Sequence, residues 1–193
     1  MAKAVFLDRD GVVNRDSGYV GSVAAFEFLP GVPNALARIR RSGYLTVLVT
    51  NQSGIARGLY TEADFIKTTQ YMQQLLSLHD ARFDWIAFCP HHPEARLPRY
   101  RLSCGCRKPA PGMILAAARR LGISLERSYM IGDRRSDLQA GARAGVGQLV
   151  LIGAAGSAGE FPGACCAPSL AEFVRECAGF GARPPRKSLR TAL

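Results

Sequence analysis

The sequence predicts an α/β protein built on a doubly wound, Rossmann-like parallel sheet. Three observations carry that expectation. Short apolar runs alternate with segments of helical period. Three of those runs break into acidic or small polar side chains at their carboxyl ends, where open α/β sheets bind ligands. The 193 residues suffice for one well-buried α/β domain and are short for two.

The first run, residues 5–7, breaks into Asp8, Arg9, Asp10 and Gly11. Two carboxylates in one tight loop repel each other, and a hard divalent cation with oxygen ligands is the common compensation. Asp8 is also a competent nucleophile toward phosphorus once a metal has withdrawn charge from the phosphoryl group. Alone, Asp-x-Asp-Gly is more often a solvated turn, so its meaning depends on the other strand ends. Residues 14–28 form a long polar loop centred on Asp16, Ser17, Gly18 and Tyr19, the kind that serves as a substrate-binding flap. Pro30 to Pro33 then opens a helix with Val32, Ala35, Leu36 and Ile39 on its buried face, and Gly43 ends it.

A second buried strand, 45–49, runs into Thr50, Asn51, Gln52 and Ser53, whose hydroxyl, amide and N–H donors suit phosphate oxygens. Arg57 and Gly58 fall in a segment expected to be mobile. A helix starting at Thr61 and Glu62 is expected to bury Phe65, Met72, Leu75 and Leu76, and 84–88 reads as a third strand. Residues 89–106 have neither periodicity and contain Pro90, Pro93 and Pro98, so something other than a core must hold them. Cys89-x-His91 and Cys104-x-Cys106 supply three thiolates and an imidazole, a closed tetrahedral structural zinc set. His91 is preferred over His92 because Cys-x-His then mirrors Cys-x-Cys. The competing reading, buried cysteines without metal, is disfavoured by the few apolar neighbours in the loop. Cys165, Cys166 and Cys177 show no ligand spacing and read as small buried residues or free thiols.

Arg107 and Lys108 follow the last proposed ligand, so the zinc loop would aim both cations, with Lys108 placed to neutralise nucleophile and phosphoryl group together. A helix over 111–121 stops at Gly122, and a strand over 128–132 ends in Asp133 and Arg134. Asp133 is the natural further metal ligand, and Asp137 is expected to cap or steady its loop. A short helix (136–144), a last strand (147–152) and a short helix (169–177) complete a single domain over 1–178. Residues 179–193 form a basic tail expected to be disordered.

The formal charge is +10, from 25 Lys and Arg against 15 Asp and Glu. That balance suits an anionic partner, either a phosphorylated metabolite or nucleic acid. No basic stripe with interleaved aromatics supports nucleic acid. No run approaches the length of a membrane span and the start has no signal-peptide character, so a cytoplasmic protein is expected, with a monomer as the default.

Leu7 to Gly11, Thr50 to Gln52, Arg107 to Pro109 and Gly132-Asp133, in this order, resemble the four motifs of the haloacid dehalogenase superfamily. With the zinc loop, they are similar to its small phosphatases acting on heptose bisphosphates or histidinol phosphate. Residues 53–60 favour the heptose branch, because the histidinol branch more often has aspartate at the position of Ser53. The resemblance implies the haloacid dehalogenase fold with a minimal cap, and a Mg²⁺-dependent phosphatase that removes the 7-phosphate of a heptose 1,7-bisphosphate. Asp8 would form an aspartyl-phosphate, Asp10 act as acid and base, and Thr50 and Lys108 hold phosphoryl oxygens. Asp8, Asp133 and the backbone carbonyl of Asp10 would hold Mg²⁺, and Cys89, His91, Cys104 and Cys106 would hold structural Zn²⁺. Substrate recognition is assigned to Asp16, Ser17, Gly18, Tyr19, Asn51, Gln52, Ser53, Arg107 and Arg134. Two departures from the heptose pattern are Arg134, where lysine is common, and the longer basic tail. The alternatives are a histidinol-phosphate or nucleic-acid 3′-phosphate phosphatase, and a zinc-stabilised nucleic-acid binder without turnover.

Overall fold

A computed structural model describes residues 1–153, 161 and 163–181. Its sheet is wholly parallel, with strands β1 (Lys3–Leu7), β2 (Tyr44–Asn51), β3 (Trp85–Cys89), β4 (Tyr129–Gly132), β5 (Gln148–Ile152) and β6 (Cys165–Ala167) in the order β3-β2-β1-β4-β5-β6. The chain winds outward from β1 to β3, then returns to β4 on the other side of β1. The carboxyl ends of β1 and β4 therefore flank the crevice where the winding reverses.

The sheet is buried on both faces, which is why its strands read as continuous apolar runs. Val5 and Leu7 point into one core layer with Leu36 and Ile39 of α1 (Val32–Arg41), Met72 and Leu76 of α3 (Glu62–Ser77) and Leu170 of α6 (Leu170–Glu176). Ala4 and Phe6 point the other way, among Ile114 and Ala117 of α4 (Gly112–Leu121) and Ala140 of α5 (Arg135–Ala144). Each such large apolar side chain, fully removed from water, contributes roughly 1.5–3 kcal/mol. Gly122 and Gly145 end α4 and α5 in the left-handed region, where a β-carbon would be strained.

Several boundaries differ from the sequence expectation. β2 continues through Thr50 and Asn51, because both pair with β3 at Phe88 and Cys89. A helical turn absent from the sequence reading, α2 (Ser53–Ala56), precedes the Arg57-Gly58 segment and buries Ile55 and Ala56. In α3 the buried face uses Thr68, while Leu75 is half-exposed. β6 has no counterpart in the sequence reading: three residues at a sheet edge are too short for periodicity to register. It leaves Cys165 and Cys166 exposed as free thiols rather than buried. The chain also stays packed slightly beyond the expected domain end, since Phe180 is fully buried and its carbonyl accepts from Arg38 Nε at 2.7 Å. The remainder of the expected tail, 182–193, lies outside the described residues. Among the described residues, no helix is long and apolar enough to cross a membrane.

Candidate active site

Asp8 begins one residue beyond β1, and its backbone N–H donates to Ile131 of β4 at 3.0 Å, fixing it beside the end of that strand. Asp133 follows β4 directly. It approaches Gly11 so closely that a β-carbon there would lie 2.4 Å from Asp133 Oδ2, and Gly11 has φ +82°, so only glycine suits the position. Asp137 sits at the third position of α5, where its Oδ2 accepts from the Arg134 backbone N–H at 3.0 Å. One carboxylate oxygen from each of Asp8, Asp133 and Asp137 falls within a cluster no more than 4.8 Å across.

Lys108 reaches into this cluster fully buried. Its Nζ lies 2.8 Å from Asp8 Oδ1 and 2.6 Å from Asp137 Oδ1, and donates to the Val49 carbonyl at 2.8 Å. Burial opposes the ammonium charge, but Asp8 and Asp137 outweigh it and hold Lys108 above its ordinary pKa. One ammonium does not neutralise three acids. Burial, reinforced by Asp8 and Asp137, pushes Asp133 up to about 7. Asp133 Oδ1 is buried with no hydrogen-bond partner among the described residues. A hard divalent cation fits that donor set: a compact group of carboxylate oxygens, one of them unpartnered.

The Asp10 carboxylate lies outside the cluster. Its Oδ1 accepts from Arg9 Nη2 (2.9 Å) and Asn14 Nδ2 (3.0 Å), and its Oδ2 from Gln52 Nε2 (3.1 Å). Only its backbone carbonyl is left to the metal role assigned from sequence. Asn51 is occupied structurally: Nδ2 donates to the Lys108 carbonyl and Oδ1 accepts from the Lys108 N–H, both at 3.0 Å. This reciprocal pair fastens the end of β2 to the Lys108 segment.

Asp8, Asp10 and Lys108 open into a cavity of about 560 Å³. Gly18, Tyr19, Ser53, Arg107 and Arg134 line it, as do Asp16, Asn51 and Gln52. Ser17 and Thr50 do not line it, and Thr50 is buried with its hydroxyl accepting from Gln52 Nε2 at 2.8 Å. A larger hollow of about 740 Å³ lies behind Gly11 and Asp133, but its wall is mainly apolar and lacks Asp8 and Lys108. Two contacts tie the centre of the flap to cations. Asp16 pairs with Arg134 Nη2 at 3.0 Å, and the Arg57 guanidinium lies 5.9 Å from the centre of the Tyr19 ring. Sequence reasoning misses Arg57 and Tyr60 as site residues, and it misses the second contact of Asp137, with Lys108. Each meets its partner only through the fold.

The sulfurs of Cys89, Cys104 and Cys106 lie 3.2–3.5 Å apart, and His91 Nδ1 lies 3.7 Å from Cys89 Sγ and 3.5 Å from Cys106 Sγ. His92 is turned away, its Nδ1 accepting from the Glu94 N–H at 3.1 Å. Burial opposes ionisation of Cys104, but hydrogen bonds from Cys106 and Cys89 outweigh it and bring the thiol down to about 7. The set is a compact nitrogen and sulfur cage suited to zinc. The Arg107 guanidinium donates to the His91 carbonyl at 3.1 Å, linking this cage to the cavity rim.

A family model described as HAD-hydrolase-like matches residues 105–172. A putative HAD-like phosphatase from Mesorhizobium loti is 34% identical, with a TM-score of 0.82 over 96% of this chain and 90% of that one. The D,D-heptose 1,7-bisphosphate phosphatase of B. bronchiseptica, solved with magnesium and phosphate, is 36% identical with a TM-score of 0.78, covering 89% of this chain and 95% of that one. Two D-glycero-β-D-manno-heptose-1,7-bisphosphate 7-phosphatases align in sequence. That of Salmonella typhi is 49% identical over 149 residues, 77% of this chain and 79% of its own length. That of Vibrio cholerae serotype O1 is 50% identical over 153 residues, 79% and 82%. The chain belongs to the haloacid dehalogenase superfamily and is a phosphomonoester hydrolase. Within that class it resembles the heptose bisphosphate 7-phosphatases.

Proposed function

We propose that this chain removes the 7-phosphate of D-glycero-β-D-manno-heptose 1,7-bisphosphate through an aspartyl-phosphate on Asp8. The carrying observation is the Asp8 carboxylate at the floor of the cavity, paired with Lys108 and flanked by an unpartnered Asp133 oxygen, beneath a rim bearing Arg107 and Arg134. The names of the relatives supply the sugar and its anomer.

In this reading an Asp8 oxygen attacks phosphorus, Asp10 protonates the departing C7 oxygen, and the same residue later takes a proton from the hydrolytic water. The Lys108 ammonium stabilises charge on the phosphoryl oxygens, whereas the Thr50 hydroxyl, given the same role from sequence, is buried against Gln52. Asp8, Asp133 and the Asp10 carbonyl are the groups that would hold Mg²⁺, with Asp137 adding charge beside them. When bound, Mg²⁺ offsets the repulsion between the carboxylates and the incoming phosphate. Cys89, His91, Cys104 and Cys106 would hold structural Zn²⁺, and through the His91 carbonyl they orient Arg107 toward the substrate's second phosphate. A bisphosphate carries too much charge to cross a bilayer unaided, so we set the reaction in the cytoplasm.

The test is phosphate release with Mg²⁺ over both heptose bisphosphate anomers, fructose 1,6-bisphosphate, histidinol phosphate and a 3′-phosphorylated oligonucleotide. We expect preference for the β-heptose compound, lost at least about 10³-fold in Asp8→Asn. Arg107→Ala should raise KM for the bisphosphate far more than for a monophosphate. Equal rates over the panel would overturn the substrate assignment while leaving the chemistry standing.

A further inference from the structure

Tyr60 ends the stretch 53–60 that resembles the heptose branch and has no role assigned from sequence, yet it is built into the site. Its ring lies in a slot lined by Gly21 of the flap and Gly54 of α2: a β-carbon at either glycine would come within 2.2 Å of a ring carbon. With both glycines against the ring, its hydroxyl donates to Gln52 Oε1 at 2.6 Å. Burial raises the Tyr60 phenol to about 12, so it remains a donor at neutral pH.

Gln52 is itself buried and fully engaged. Its Nε2 donates to Asp10 Oδ2 at 3.1 Å and to Thr50 Oγ1 at 2.8 Å. An amide can be turned end for end with little change of shape, so its orientation depends on its partners. The Tyr60 hydroxyl satisfies the carbonyl end and thereby leaves the NH₂ end facing Asp10 and Thr50.

We infer that Tyr60 is a positioning residue: acting through the Gln52 amide, it sets the Asp10 carboxyl for the leaving oxygen. The inference rests on the phosphatase roles proposed above for Asp8 and Asp10. Removal of the phenolic oxygen leaves the Gln52 carbonyl buried without its donor. The amide is then directed from its NH₂ end alone, and one of the three side chains that hold Asp10 is less firmly placed. The flap takes part as well, because Gly21 forms one wall of the slot.

The test is Tyr60→Phe, which keeps the ring against its two glycines, assayed on two esters. Departure of an alkoxide from the heptose bisphosphate needs a proton, whereas p-nitrophenolate leaves without one. We expect kcat/KM to fall about tenfold on the heptose ester and no more than about threefold on p-nitrophenyl phosphate, with most of the heptose loss in kcat. In a Gln52→Ala background, Tyr60→Phe should have little additional effect, because the two residues act in series. Equal losses on both esters, additive losses in the double variant, or unchanged kinetics would each overturn the inference. If Tyr60→Phe melts far below the parent, Gln52→Ala alone carries the ester comparison, and equal loss on both esters again overturns it. A parent enzyme with no Asp8-dependent release from either ester overturns instead the site reading on which the inference rests.

Discussion

The carboxylate cluster and the thiol cluster gather cation-binding side chains by opposite routes. Asp8, Asp133 and Asp137 come from the ends of two strands and the first turn of α5, brought together because β1 and β4 are neighbours. Cys89 is the last residue of β3, and His91, Cys104 and Cys106 all lie in the segment that follows it directly. The difference extends to charge. The carboxylates repel one another and already enclose an ammonium, Lys108, whereas burial and the neighbouring thiols raise Cys89 and leave Cys104 as the thiol nearest ionisation at neutral pH. One site therefore depends on the whole sheet and on an internal counter-charge, and the other on local chain geometry and, in the function we propose, on a metal.

Lys108→Met should break the first site with the largest effect. With the ammonium gone, Asp8 and Asp137 are buried without their cation, a change that typically costs about 3–5 kcal/mol. We expect the melting temperature to fall steeply in metal-free buffer and to recover substantially in millimolar Mg²⁺. The turnover number should stay down by about 10³-fold or more, because the phosphoryl oxygens lose a fixed charge. Recovery of turnover along with stability would show that Lys108 serves only as a counter-ion.

Withdrawal of zinc, or Cys104→Ser, should break the second site and leave the first assembled. Residues 89–106 contain little core, since only Cys89, Ala95 and Tyr100 among them are buried apolar residues. Their order is expected to depend on the metal. A zinc-selective chelator in excess Mg²⁺ should lower the melting temperature by about 5–10 °C. KM for the bisphosphate should rise before kcat falls, because Arg107 is fastened to the His91 carbonyl whereas Lys108 is held from the sheet side by Asn51 and Val49. Simultaneous loss of both would mean that the two regions are not separable.

The same contrast explains what can be read from the sequence. The thiol set is visible because Cys-x-His and Cys-x-Cys are local patterns, and β1, α1, α4 and α5 are visible because strands buried on both faces and glycine-capped amphipathic helices leave strong signals. Asp8 and Asp133 stand out as acids at strand ends. The bond between Asp137 and Lys108, the slot around Tyr60 and the Arg57 contact with Tyr19 each join segments far apart in the chain, so no spacing announces them. Asn51 and Gln52 show the converse. Their donors suggest phosphate, but the fold commits Asn51 to the Lys108 backbone and Gln52 to Asp10, Thr50 and Tyr60.

The smallest expected effect sharpens the comparison through protons. In the metal-free protein Asp133 titrates near 7, raised by burial and then by Asp8 and Asp137, whereas an unfolded chain releases that proton near the ordinary carboxylate value of 3.8. Between those values the native state holds a proton that the unfolded state has lost. The contribution of Asp133 to stability is therefore complete below the lower value and disappears as pH rises through about 7. Mg²⁺ requires the deprotonated carboxylate, so its apparent affinity should strengthen roughly fivefold from pH 6 to pH 7 and level off above pH 8. Calorimetric titration of the metal-free protein at fixed ionic strength measures this directly. Asp133→Asn should weaken Mg²⁺ binding and flatten its pH dependence, since the amide has no proton to lose in this range. A parent profile already flat between pH 5.5 and 8 would mean that Lys108 alone neutralises the cluster, and that the two regions differ less in charge than their geometry implies.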